Sequence, residues 1–216
     1  MPGSFLWLVP PASHPLHTIL TNLITTTLPA LLSPSPHNPT FVPHLTLTSD
    51  IPPDTHGPDP QAWLDSIPWP SRPGSVRVRL LPSGPRTDDD AFFRRCYLPV
   101  DPGGGVADLA ALARAWAVEG EGGAESGAGG EKTAAWLQSW LAGFGPHVSL
   151  VYGNDPIDEA KLDEVRRAVR EAGVKLEGEA PVSGEDGWDG WEGGVIWLIP
   201  AGRPVSQWSP IATREL

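Results

Sequence analysis

Apolar residues fall in short alternating runs broken by turn residues, with a few longer stretches of helical spacing. Phe5 to Val9 predicts a short buried strand, stopped by Pro10-Pro11. From Leu16 to Leu32, apolar residues at 19, 20, 23, 24 and 28 line one face of a helix. Phe41 to Thr48 alternates as a strand, and a proline-rich loop follows. Val76 to Leu80 alternates strictly, with Arg77 and Arg79 on one face, and Phe92 to Val100 predicts its antiparallel neighbour across a turn-rich link. Asp108 to Val118 is a helix with Asp108 as its cap. Glu131 to Leu141 is a second helix, striped by Trp136, Leu137, Trp140 and Leu141. Pro146 to Tyr152 is a strand, and Asn154-Asp-Pro156 starts a helix that Gly173 ends. Val195 to Ile199 and Ile211 to Leu216 are the last strands. Hairpin-like strand pairs mixed with helices give an α+β fold with largely antiparallel sheet.

Composition narrows the function classes. The 216 residues suit one domain with a sizeable core. A single cysteine, Cys96, excludes an internal disulfide and a cysteine-rich zinc module. No apolar run approaches the roughly 20 residues of a membrane helix. Phe5 to Val9 is too short for a signal-peptide core and has no Lys or Arg before it, which points to an intracellular, reducing compartment. The net charge of −11 argues against a grip on long nucleic acid. It sits unevenly: residues 1–100 carry 7 acids and 6 bases, and residues 101–216 carry 19 and 9. Of the 26 prolines, 19 lie in the first hundred residues, which predicts strands and loops there rather than long helices. Residues 120–130 hold six glycines and read as part of a flexible insertion over about 119–131. Gly130-Glu-Lys-Thr133 at its end is no phosphate loop, because it lacks Gly directly before Lys and follows no strand.

The chemistry lies in a repeat. Pro43-His-Leu-Thr-Leu47 and Pro146-His-Val-Ser-Leu150 share proline, histidine, aliphatic, hydroxyl residue and leucine in order. Six histidines and 27 Ser and Thr yield fewer than one His-x-Ser/Thr match by chance, so two with matching flanks carry weight. On a strand, His44 shares a face with Thr46 and His147 with Ser149, while Leu45, Leu47, Val148 and Leu150 turn to a core. An imidazole moves protons near neutral pH, and a hydroxyl two residues on donates to an anionic oxygen. Two facing units would hold a phosphate between two donors and an acid–base couple, which suits in-line displacement at a phosphodiester. This chemistry asks for no metal or cofactor. His14, His17, His37 and His56 read as surface or structural, and Asp88-Asp-Asp90 as a solvated turn or helix start. Trp63, Trp69, Trp188 and Trp191 read as loop tryptophans, one of which could stack on a base. Tyr152 falls off the histidine face by parity and needs a bulge or strand end, beside Gly153, to reach it.

These motifs resemble the paired signatures of the two-histidine (2H) phosphoesterase superfamily. Pro43 to Ser49 and Pro146 to Gly153 are most similar to its fungal and plant cyclic phosphodiesterases. Ser4 to Pro11, Phe92 to Val100 and Gln207 to Thr213 also resemble that group. The 119–131 insertion and the Gly187 to Gly194 loop look expanded relative to it. The resemblance implies one domain over 1–216, with two lobes related by a pseudo-twofold around a cleft. It implies hydrolysis of nucleoside 2′,3′-cyclic phosphates to 2′-phosphates, and of the ADP-ribose cyclic phosphate left by tRNA splicing. His44 and His147 would be acid and base, Thr46 and Ser149 phosphate donors, and Tyr152 a substrate contact. Yeast-type members are linked to the Golgi. The partner expected is a small cyclic nucleotide, the chain acting as a monomer. Two rival readings are an RNA-end enzyme of the same superfamily, 2′–5′ ligase-like or 3′-trimming, and a non-catalytic nucleotide-binding protein.

Overall fold

Period-two alternation sets the architecture, because each apolar run sends one side chain in two to a common core. The computed structural model describes residues 3–32, 39–72, 74–122, 129–176 and 187–216. Its strands are β1 (Ser4–Val9), β2 (Leu45–Ile51), β3 (Arg77–Arg79), β4 (Arg86–Thr87), β5 (Cys96–Pro99), β6 (His147–Val151), β7 (Gly190–Glu192), β8 (Val195–Pro200) and β9 (Ala212–Glu215). Seven form one sheet in the order β4-β5-β6-β2-β1-β8-β9, every ladder antiparallel. β3 and β7 form a separate two-stranded sheet. The α+β class with largely antiparallel sheet is therefore the one the hydrophobic pattern predicts.

The large sheet is two-faced. Leu6 and Leu8 of β1, Leu45 and Leu47 of β2, Leu98 of β5, and Val148 and Leu150 of β6 enter the main core. The helices α1 (Pro15–Asn22), α3 (Pro60–Ser66), α4 (Val106–Arg114) and α6 (Glu159–Glu171) bury their apolar stripes in that same core. On the opposite face Trp7, Val9 and Ile199 form a small cluster with Phe5, Val42 and Trp208. Both histidine motifs open onto this second, aromatic face.

Several element ends differ from the sequence reading, each for a local reason. β2 begins at Leu45 rather than Phe41, since Pro43 offers no N–H and the carbonyl of Val42 is taken by a side chain. The first helix is not uniform. α1 widens into a π segment at Leu23–Thr27 before α2 (Leu28–Leu31), because Pro29 cannot donate to the carbonyl of Thr25. Phe92–Arg94 is a 3-10 turn, held by Arg94 on Asp88 and by Arg95 on the carbonyls of Asn154 and Asp155. Because those two carbonyls face Arg95, the next helix starts at Glu159, with Asp158 accepting from Lys161 N at 2.8 Å. β3 pairs with β7, not with the 92–100 segment, of which only the bridge Leu80↔Val100 reaches its end. Gly190 permits this; a Cβ there would stand 1.9 Å from the Val78 carbonyl oxygen. α4 is capped by Gly105, and Asp108 lies in its first turn, where its charge meets the helix dipole.

α5 (Glu131–Gly143) begins as expected, but its N-terminus is closed by the Glu121 carboxylate on the N–H groups of Lys132 and Thr133. The ends of the predicted insertion are thus anchored; residues 123–128 lie outside the described residues, as does His37. Among the described residues no helix is long and apolar enough to cross a membrane.

Gly145 links α5 to β6 with φ +61, and its N–H bonds the Trp140 carbonyl at 2.6 Å. Gly145→Ala should cost roughly 1–2 kcal/mol in chemical denaturation, from the left-handed backbone alone. Gly145→Asn should cost less. Equal losses would mean that the backbone conformation is not the reason for glycine.

Candidate active site

β2 and β6 are neighbours, and their recorded pair is Leu45↔Val148, the middle residue of each motif. Antiparallel direction then sets His44 across from Ser149, and His147 across from Thr46. The repeat in sequence has become a local twofold in space, with each imidazole beside the other motif's hydroxyl. Sequence parity predicts the face; it says nothing of this diagonal.

The two prolines have a matching use. His44 Nδ1 lies 2.6 Å from the Val42 carbonyl oxygen, and His147 Nδ1 lies 3.0 Å from that of Gly145. In each case the acceptor is the carbonyl just before the proline, two residues upstream. A carbonyl only accepts, so Nδ1 carries the hydrogen in both neutral rings. Nε2 is left as the proton-accepting atom in both.

His44 is 3% exposed, its ring stacked on Trp7 at 3.6 Å and met edge-on by Phe41. Its Nε2 is 3.2 Å from the Tyr152 hydroxyl, which must be the donor given that tautomer. Tyr152 follows the last residue of β6, so its parity is released, and it stacks on Phe41 at 3.7 Å. His147 is 6% exposed, edge-on to Tyr97 and Phe144. Ser149 Oγ donates to the Phe93 carbonyl at 2.7 Å. The Thr46 hydroxyl is bonded to no other described residue.

A cavity of about 380 Å³ joins these groups, lined by Thr46, His147, Ser149 and Tyr152. Phe5, Trp7, Phe93, Phe144 and Trp208 supply its apolar wall, and Ser49 and Asp50 its polar rim. His44 stands behind that wall, in contact with Tyr152. All five residues singled out in the sequence therefore converge. The tryptophans do not: Trp63 lies in α3, Trp69 and Trp191 are buried in the core, and Trp188, 41% exposed, borders a different cleft. The aromatic wall instead uses Trp7 and Trp208. Trp208 is set by its Nε1–H on the Arg203 carbonyl and touches Phe5, Trp7 and Phe93. Trp7 was hidden in a run read only as buried strand, and Trp208 in a terminal segment with no regular pattern. Asp88 serves structure, in an ion pair with Arg94, and Asp89 pairs with Arg95. His14 caps α1, accepting from Leu16 N.

Burial governs the electrostatics. It pushes His44 down to about 3, with the Val42 carbonyl opposing and the nearby His147 adding slightly. It pushes His147 down to about 4, where the Gly145 carbonyl opposes and Arg94 assists. Burial also raises the Tyr152 phenol well above its usual range, so it stays protonated. Unfolded, both histidines titrate near 6.5. Below that pH the unfolded chain binds protons that the folded chain refuses, so stability is full above pH 6.5 and falls toward pH 4. Each histidine contributes up to about 1.4 kcal/mol per pH unit. In denaturation measured between pH 6.5 and 4, His147→Gln should flatten the slope by about one such increment. An unchanged slope would show that His147 is not held neutral.

Residues 1–216 match the family described as "Cyclic phosphodiesterase-like protein". A Neurospora crassa protein named 2′,3′-cyclic-nucleotide 3′-phosphodiesterase is 48% identical over 228 residues, covering 100% of both chains. A Phaeosphaeria nodorum protein of that name is 40% identical over 219 residues, again covering 100% of each. One from Yarrowia lipolytica is 26% identical over 235 residues, covering 99% of each. A match of such length and identity makes the chain a member of the cyclic phosphodiesterase-like family.

Proposed function

We propose that the chain hydrolyses nucleoside 2′,3′-cyclic phosphates to nucleoside 2′-phosphates, using His44 and His147 as a proton-transfer couple. The observation that carries this reading is the Leu45↔Val148 pairing, which sets each imidazole beside the other motif's hydroxyl, with Thr46, His147 and Ser149 on one cavity and His44 behind its Tyr152 wall. The phosphate takes hydrogen bonds from Thr46 and Ser149. Water oxygen attacks phosphorus and gives its proton to one histidine as the P–O3′ bond breaks. The other histidine protonates the leaving O3′. A bound anion favours the imidazolium form, so substrate itself supplies the attraction that charges one ring. Each half of the sheet, β4-β5-β6 and β2-β1-β8-β9, would be one lobe. The names of the relatives agree with this substrate class.

Charge narrows the substrate further. All fifteen Lys and Arg lie among the described residues, and none lines this cavity. The carboxylate of Asp50 is on its rim instead. Such a site suits a cyclic mononucleotide carrying one charge. An RNA end or an ADP-ribose cyclic phosphate brings more negative charge than these walls can answer.

Two measurements test the reading. With a 2′,3′-cyclic mononucleotide, His44→Ala and His147→Ala should each lose at least about 10²-fold in kcat, and the double variant little more than the worse single. Near-normal turnover by either variant would refute the couple. Asp50 has φ +61, a conformation that Asn tolerates, so Asp50→Asn should fold normally. It should shrink the preference for a 5′-hydroxyl over a 5′-phosphorylated cyclic nucleotide by about three- to tenfold in kcat/KM. An unchanged ratio would remove Asp50 from substrate selection.

A further inference from the structure

We propose that Tyr152 is a positioning residue that latches His44, its hydroxyl capping the catalytic nitrogen until an anion enters the cavity. This rests on the paired-histidine reading above. Four observations carry it. The Val42 carbonyl fixes Nδ1–H, so Nε2 is the only atom with which His44 can exchange a proton. That atom already accepts from Tyr152, at 3.2 Å. Trp7 covers one face of the imidazole and Phe41 meets its edge, so the ring cannot swing to present Nε2 elsewhere. Tyr152, unlike His44, is part of the cavity wall.

The second motif is satisfied in a parallel way. Ser149 gives its hydroxyl proton to the Phe93 carbonyl, while the Thr46 hydroxyl is bonded to no described residue. An incoming phosphate therefore meets Thr46 ready. It must then draw Ser149 off Phe93 and the Tyr152 hydroxyl off His44 before His44 can act. Tyr152 and Ser149 lie side by side, the serine hydroxyl being one of the groups acting on the phenol, so both can turn to the same oxygen. The ionisable groups facing His44 are His147 and Tyr152; Trp7 and Phe41 present only rings.

Tyr152→Phe tests the latch and keeps the stack on Phe41. Losing a donor to the neutral ring should raise the His44 titration, read by nitrogen-15 NMR in the resting enzyme, by about half to one pH unit. With a cyclic mononucleotide, KM should stay within about twofold, because the phosphate donor lost is offset by a latch that no longer has to be broken. An unmoved His44 titration together with a raised KM would make Tyr152 a substrate contact only and overturn the proposal. A second measurement uses the unmutated chain. The resting enzyme should show His44 as its Nδ1–H form, and saturation with a nucleoside 2′-monophosphate should break the Tyr152 contact and let His44 take up a proton. A contact that persists in the saturated enzyme would also overturn it. Neither NMR readout needs turnover, so the latch can fail while the hydrolytic reading stands, and the reverse.

Discussion

Two hydrogen bonds, each from an imidazole Nδ1–H to the carbonyl two residues upstream, hold the two histidines of the cavity region in place. They fix the tautomer of both rings and tie each ring to the backbone that delivers it. The proline between donor and acceptor explains itself in this light. It has no N–H to give a neighbouring strand, and the carbonyl before it goes to the ring. Because the rings are buried, both are held neutral well below the usual histidine range.

The sheet turns this local bond into a site. Alternation along β2 and β6 sends leucine and valine to the core and histidine, threonine and serine to the other face. Antiparallel pairing at the middle residues then makes the arrangement diagonal. Bulges between β1 and β2 interrupt the ladder just where Ser49 and Asp50 reach the cavity rim. The cavity wall is largely apolar, with few polar groups set into it.

Much of this was legible in the residues. The repeated Pro-His-x-Thr/Ser-Leu string identifies four of the polar groups, and alternation alone assigns them to one face. The parity of Tyr152 correctly demands that it lie past a strand end. Legibility failed where long-range pairing decides. No pattern near Trp7 reports that it will lie against His44, because that contact depends on β1 pairing with β2 some forty residues on. Trp208 depends likewise on a turn closed by the Arg203 carbonyl. Helix starts were misplaced when a carbonyl was claimed from afar, as Asn154 and Asp155 are by Arg95. The π segment before Pro29 follows from a missing donor rather than from any hydrophobic period.

The position of β1 has a consequence for biosynthesis. It is an inner strand, yet one edge pairs with β2 and the other with β8, so that Ser4 faces Pro200. During synthesis the β8 edge of β1, with Phe5 and Trp7 on its aromatic face, waits for Val195–Pro200 to emerge before it can pair. An unpaired apolar edge is a template for wrong partners. Early pairing with β2 covers only the opposite edge, so the aromatic face of the site is completed only when β8 arrives.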